Sequence, residues 1–171
     1  MSYVMGLLEW VYDRPLVAIV LIFIVVKKLK QYRAGPFPES GGRVETIGST
    51  ADWEAAVKEA EAKKGVFVVD FYATWCPPCR ASAPIYGALS LKYACSFYKC
   101  DVDAAPDVAR AAGISAMPTF KVYKGSHCTD TIQGFNQAAI VDAITRLGVD
   151  KLDDKALQDK KKTVEESKKA E

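Results

Sequence analysis

The sequence predicts an α/β fold in which a β-sheet carries helices on both faces. Strand-like and helix-like segments alternate through most of the chain. One of them, VFVVDFYA at Val66 to Ala73, is a nearly continuous β-branched and aromatic run, as in a strand covered on both sides. With 171 residues, half of them hydrophobic and 26% charged, the chain has enough apolar material for one packed domain with extensions.

The first element is helical. Pro15 to Val26, PLVAIVLIFIVV, is apolar throughout. Twelve residues rise only about 18 Å as a helix, against a hydrocarbon layer of roughly 30 Å. Pro15 suits a first helical position, and a helix from Pro15 to Arg33 would reach about 28 Å. Lys27, Lys28, Lys30 and Arg33 would then extend to lipid headgroups. Ahead of it, Val4, Leu7, Leu8 and Val11 fall at helical spacing beside Tyr3, Trp10 and Tyr12, as in a short interfacial helix. Residues 1–33 are therefore expected to be an interfacial segment and a single-pass transmembrane anchor. The alternatives are a cleaved signal, which the basic KKLKQYR after the run disfavours, and a helix packed on protein. The placement of those cations puts the rest of the chain in the cytosol or an equivalent reducing compartment. Residues 34–42, AGPFPESGG, read as a linker.

The domain is expected over residues 43–149. RVETI is a strand. Ser49 or Thr50 caps a helix to about Lys63, with Trp53, Ala56, Val57 and Ala60 on one face. After the buried strand, Cys76 to about Tyr93 is a helix kinked at Pro84. SFYKCDV is a strand, DAAPDVARAAG a short helix, TFKVYKG and HCTDTIQG two further strands, and NQAAIVDAITRLG an amphipathic helix closed by Gly148. The order is βαβαβαββα. Residues 150–171, with seven Lys against seven Asp plus Glu, form a charged tail, read as solvated or, less simply, as a docking segment.

Chemistry concentrates at Trp75-Cys76-Pro77-Pro78-Cys79, where a buried strand gives way to a helix. A thiolate is stabilised at a helix N-terminus by unpaired N–H groups and the dipole. Cys76 sits at that cap and Cys79 one turn inward, which suits attack on a disulfide by the first and resolution by the second. Pro77 and Pro78 occupy first-turn positions, where a missing N–H costs the helix little. They stiffen the loop and shift its redox potential. Half of a zinc or iron–sulfur site is the competing reading, and it needs further ligands from Cys95, Cys100, Cys128 or His127.

Asp70 interrupts the buried strand. A buried carboxyl is expensive and its pKa rises. Close to a thiol pair it can take or return the proton of Cys79, unless it reaches water at the strand end or caps the next helix. Met117-Pro118-Thr119 opens a strand, where proline is tolerated, and residue physics alone makes the peptide bond before it trans.

Taken together, VVDFYATWCPPC, YKCDVDAAPDVARAAGISAMPTF and IQGFNQ-AAIVDAI resemble the thioredoxin family over Val44 to Leu147. The resemblance implies the thioredoxin fold, with a central mixed sheet, and protein-disulfide reductase activity. It implies that the Met117–Pro118 bond is cis and faces the disulfide, and that Asp70 is the buried acid with Lys99 as its nearby charge. Trp75, Pro118, Gly134 and Ala116 would form the docking surface. No cofactor is bound in that family: a redox-active Cys76–Cys79 disulfide is recharged by a thioredoxin reductase that uses NADPH, and the partners are disulfide-containing clients. Pro77 departs from the usual glycine, as in plant-type cytosolic thioredoxins and tryparedoxins.

Other classes fare worse. A net charge of +2 from 23 basic and 21 acidic residues gives no nucleic-acid surface. A single histidine, His127, set in a hairpin turn and given no role, argues against multi-histidine metal sites. The remaining cysteines read as small apolar fillers, or alternatively as regulatory thiols. Two functions stand beside the reductase: an oxidase or isomerase of a secretory compartment, and an accessory subunit of a membrane complex.

Overall fold

The computed structural model describes residues 15–33 and 35–152. The interfacial segment before Pro15 and the tail beyond Leu152 lie outside the described residues, as do the side chains of Pro15, Lys27 and Lys28. The chain divides into two compact units, residues 1–37 and 38–171.

In the first unit, Pro15–Arg33 is a 19-residue helix, α1, with the bounds the sequence suggests. Its residues from Leu16 to Val26 include a run of exposed large apolar side chains, Ile22 and Phe23 each at 62%. No described helix is long and apolar enough to cross a membrane. The apolar run stops at Val26, and Lys27, Lys28, Lys30 and Arg33 occupy the rest of the helix.

The second unit holds five strands and four helices among its described residues: β1 Val44–Thr46, α2 Thr50–Lys63, β2 Val66–Tyr72, α3 Pro77–Lys92, β3 Ser96–Asp101, α4 Pro106–Ala111, β4 Thr119–Lys124, β5 His127–Gln133 and α5 Gln137–Arg146. The sheet order is β1-β3-β2-β4-β5. Strands β1, β2 and β3 are parallel, and β4 runs antiparallel to both β2 and β5. The sheet is therefore mixed, as expected.

Alternation along β2 sends side chains to two separate cores. Val68 joins Phe97, Phe120 and Val122 beneath α3 and α5, which contribute Tyr86, Leu89, Ile140 and Ile144. Phe67, Val69 and Phe71 join Tyr98 and Tyr123 beneath α2 and α4, which contribute Ala56, Ala60 and Val108. Phe67 stacks on Tyr123 with centroids 4.8 Å apart, and Trp53 meets Tyr123 edge-on at 5.3 Å. Ser49 rather than Thr50 caps α2, accepting from Asp52 N at 3.2 Å.

Residues 40–43 lie against α3. Ser40 is buried. A Cβ on Gly87 would run into the Ser40 carbonyl oxygen, so only glycine permits this approach. Arg43 N donates to Ser90 Oγ at 2.7 Å. Its guanidinium donates from Nε to Ser90 O at 2.8 Å and from Nη2 to Tyr93 O at 2.7 Å, satisfying carbonyls that the helix end leaves open. At the other end of the domain, Ala94 N donates to Asp150 O at 3.0 Å and Leu152 N to Lys92 O at 2.9 Å. The first residues past α5 are thus tied to the end of α3.

Candidate active site

Topology gathers the site at one end of the sheet. Strands β2 and β3 are parallel, with Tyr72 opposite Asp101 at their C-terminal ends. Strand β4 is antiparallel and starts at that same end, with Thr119 opposite Phe71. The loops after β2 and β3 and the loop before β4 therefore converge.

The first of these loops carries the thiols. Cys76 is the N-cap of α3, in extended conformation at φ −87° and ψ 111°. Its Sγ accepts from Cys79 N at 3.3 Å. Pro77 and Pro78 fill the first two helical positions and offer no N–H, so the Cys79 amide is the first the sulfur can meet. Cys76 and Cys79 form a disulfide, with Cα atoms 5.3 Å apart. Cys76 is 3% exposed and Cys79 fully buried, a smaller contrast than the sequence suggests. On reduction the cap position favours ionisation at Cys76.

The other loops frame this disulfide's end of the sheet. Trp75 is half-exposed, and its Nε1 donates to Asp103 Oδ2 at 2.6 Å. Asp103 N in turn donates to Asp101 Oδ1 at 3.0 Å. Sequence reading passes over Asp103; its signal is the Asp-x-Asp just after a strand, which favours a tight side-chain-to-backbone turn. The Met117–Pro118 bond is cis, as the family resemblance implies and against the trans form that residue physics favours. Thr119 Oγ1 donates to Ala116 O at 2.7 Å, and Gly134 N to Pro118 O at 2.8 Å. Gly134 adopts φ +75°, a left-handed conformation that favours glycine.

Asp70 lies beneath, on the face of β2 shared with Val68, and is 1% exposed. Its Oδ1 has no hydrogen-bond partner in the protein among the described residues. Burial pushes its pKa up to about 7, and Lys99 pulls it the other way. Lys99 is its register partner on β3 and points to the same face. Lys99 Nζ also stands 4.0 Å from Glu39 Oε2, an exposed carboxylate just ahead of residues 40–43. The two alternatives to a buried acid, water contact at a strand end and capping of the next helix, do not describe Asp70.

The other cysteines are apart from this arrangement. Burial raises the Cys95 thiol to about 12 and Cys100 to about 11. Cys128 is half-buried, with Sγ donating to Asp130 O at 3.5 Å. Among the described residues no group of three or more metal-ligating side chains comes together.

Comparison with known proteins agrees with this geometry. A family model described as Thioredoxin matches residues 45–146. A thioredoxin H-type of Chlamydomonas reinhardtii is 48% identical over 99 residues, covering 57% of this chain and 88% of that protein. Thioredoxin-2 of Saccharomyces cerevisiae is 39% identical over 102 residues, covering 59% of this chain and 95% of its own length. Among solved structures, the thioredoxin NaTrxh of Nicotiana alata superposes with a TM-score of 0.59 at 34% identity, over 62% of this chain and 93% of that one. Reduced Schistosoma mansoni thioredoxin gives 0.58 at 35% identity, over 61% and 98%.

Proposed function

The chain belongs to the thioredoxin family of dithiol–disulfide oxidoreductases, and on that premise we propose that it reduces disulfides of client proteins through Cys76 and Cys79 while held at a membrane by its N-terminal segment. The observation that carries the chemistry is Cys76 Sγ at the cap of α3, accepting from the Cys79 amide. In the reduced protein the Cys76 thiolate attacks one sulfur of the client disulfide. That bond breaks, and the departing client sulfur leaves as a thiolate and takes a proton from water. Cys79 gives its proton to the Asp70 carboxylate and attacks Cys76 Sγ. The mixed disulfide breaks, the second client thiolate leaves and is protonated, and two electrons have passed from the dithiol to the client. A thioredoxin reductase drawing on NADPH would restore the pair.

Trp75, Pro77, Pro78, Met117, Pro118 and Gly134 shape the surface a client meets. Asp103 holds the Trp75 ring by its hydrogen bond, and Lys99 opposes the protonation of Asp70. Support for membrane attachment comes from the exposed apolar residues of α1 and the cations that follow them. By the same charge placement the domain works in the cytosol or an equivalent compartment.

Insulin reduction by the full chain tests the reading. Wild type should turn over, Cys76→Ser should not, and Cys79→Ser should accumulate a mixed disulfide. The Cys76–Cys79 potential should lie near ~−270 mV; a value near ~−180 to −120 mV would instead mark an oxidase or isomerase.

A further inference from the structure

Glu39 lies outside the family match, yet its carboxylate reaches the cation that faces the buried acid. Lys99 and Asp70 stand opposite one another on β3 and β2 and send their side chains to one face of the sheet. Attraction alone would turn the ammonium of such a lysine toward the buried carboxyl. Here Lys99 Nζ stands 4.0 Å from Glu39 Oε2, while Asp70 Oδ1 has no hydrogen-bond partner among the described residues. The two ends of the ion pair are unequal, with the Lys99 side chain 16% exposed and that of Glu39 94%. The backbone beside Glu39 is nevertheless held. Ser40 is buried against Gly87, and Arg43 bonds to Ser90 and Tyr93.

We propose that Glu39 is a positioning residue for the exchange reaction: it draws the Lys99 ammonium outward and so keeps Asp70 the stronger acceptor for the Cys79 proton. This rests on the role given to Asp70 above. Both effects of the Glu39 charge have one sign. An ammonium held beside Glu39 stabilises ionised Asp70 less than one turned inward, and the Glu39 carboxylate is itself a like charge that disfavours ionisation of Asp70. The other groups around the acid leave this control to Lys99. Tyr86 of α3 and Tyr72 of β2 feel the Asp70 charge, and burial keeps both hydroxyls protonated far above neutral pH. Asp101 and Cys100 of β3 and Glu39 also act on Tyr72, which places Glu39 at this end of the sheet. Strand β4 and helix α5 present apolar Phe120, Ile140 and Ile144 to the same core. Lys99 is the charge that opposes the effect of burial on Asp70, so where its ammonium is held sets how far that opposition goes.

Two pH titrations of the full-length, reduced protein test the assignment. One follows the carboxyl carbon signal of Asp70 by NMR, identified by its loss in Asp70→Asn. The other follows mixed-disulfide resolution by stopped flow. In wild type both midpoints should lie near 7. Glu39→Gln should lower both by about half a pH unit, the scale set by an exposed ion pair, and Glu39→Lys should lower them further. Lys99→Met should raise the midpoint. In that background Glu39→Gln should shift it less than half as far as in wild type, and Lys99→Gln serves the same comparison if the methionine variant fails to fold. Midpoints that stay at the wild-type value in Glu39→Gln would overturn the assignment, and a fall in urea stability without a shift would show that Glu39 only helps to hold residues 40–43. An equal shift with and without Lys99 would also overturn it, since Glu39 would then act without the lysine. Resolution that shows no inflection in wild type, while the NMR signal still titrates, would instead overturn the exchange role of Asp70 on which the assignment rests.

Discussion

Replacing Asp70 with asparagine separates two consequences of burying a carboxyl. Its pKa stands near 7 in the folded protein against 3.8 for the ordinary group, so the native state holds its proton over a pH range in which the unfolded chain has lost it. Stability attributable to this proton is present at pH 4 and is lost as pH rises through about 7. Asp70→Asn should therefore unfold at higher urea than wild type at pH 8, by up to about 4 kcal/mol, with the advantage shrinking to little near pH 4. Activity should move the other way. Cys79 needs an ionised Asp70 to accept its proton, so resolution of the mixed disulfide should accelerate across about pH 7 in wild type and lose that inflection in the variant. A stopped-flow pH profile of resolution beside urea titrations at the same pH values would show both.

At the scale of elements, the order of strands and helices was legible because each segment has an unmixed signal. The β-branched run of β2 is apolar on both faces, α2 has an apolar stripe behind a serine cap, and α5 begins at Asn136, whose side chain accepts from Ala139 N at 3.1 Å. Ser49→Ala should remove the corresponding cap of α2 and lower stability by about 1 kcal/mol in chemical denaturation. The thiol pair and the buried acid were legible for the same reason, as polar or reactive groups set where physics disfavours them. Contacts made across long sequence separations were not. Nothing near Trp75 announces Asp103, and AGPFPESGG has the composition of a linker although Ser40 is buried against Gly87. Local composition reports what a segment can do alone, whereas these contacts depend on what the fold brings beside it. The cis bond before Pro118 belongs here too: residue physics favours trans, and only the family resemblance led to the observed form. Gly87→Ala gives this a measurable form. The added methyl meets the Ser40 carbonyl, residues 40–43 must lift, and stability should fall by roughly 1–3 kcal/mol with new proteolytic cleavage between Pro38 and Arg43.

For the whole molecule, α1 bears on where the domain is held. The apolar residues of α1 are too few to cross a bilayer as a described helix, yet several of them are exposed. Full-length protein should sediment with phospholipid vesicles, and a chain beginning at Pro38 should stay in the supernatant. Protease protection in intact cells should leave the domain on the side of the membrane that bears the cations following Val26. The contact of residues 40–43 with α3 carries a further consequence. A protein trimmed to the family match, residues 45–146, would lose Ser40 and Arg43 at one end and Leu152 at the other, all of which lie against or bond to α3. Such a trimmed enzyme would keep both cysteines and still present them on a helix with frayed moorings, so its measured redox behaviour would describe a looser molecule than the natural one.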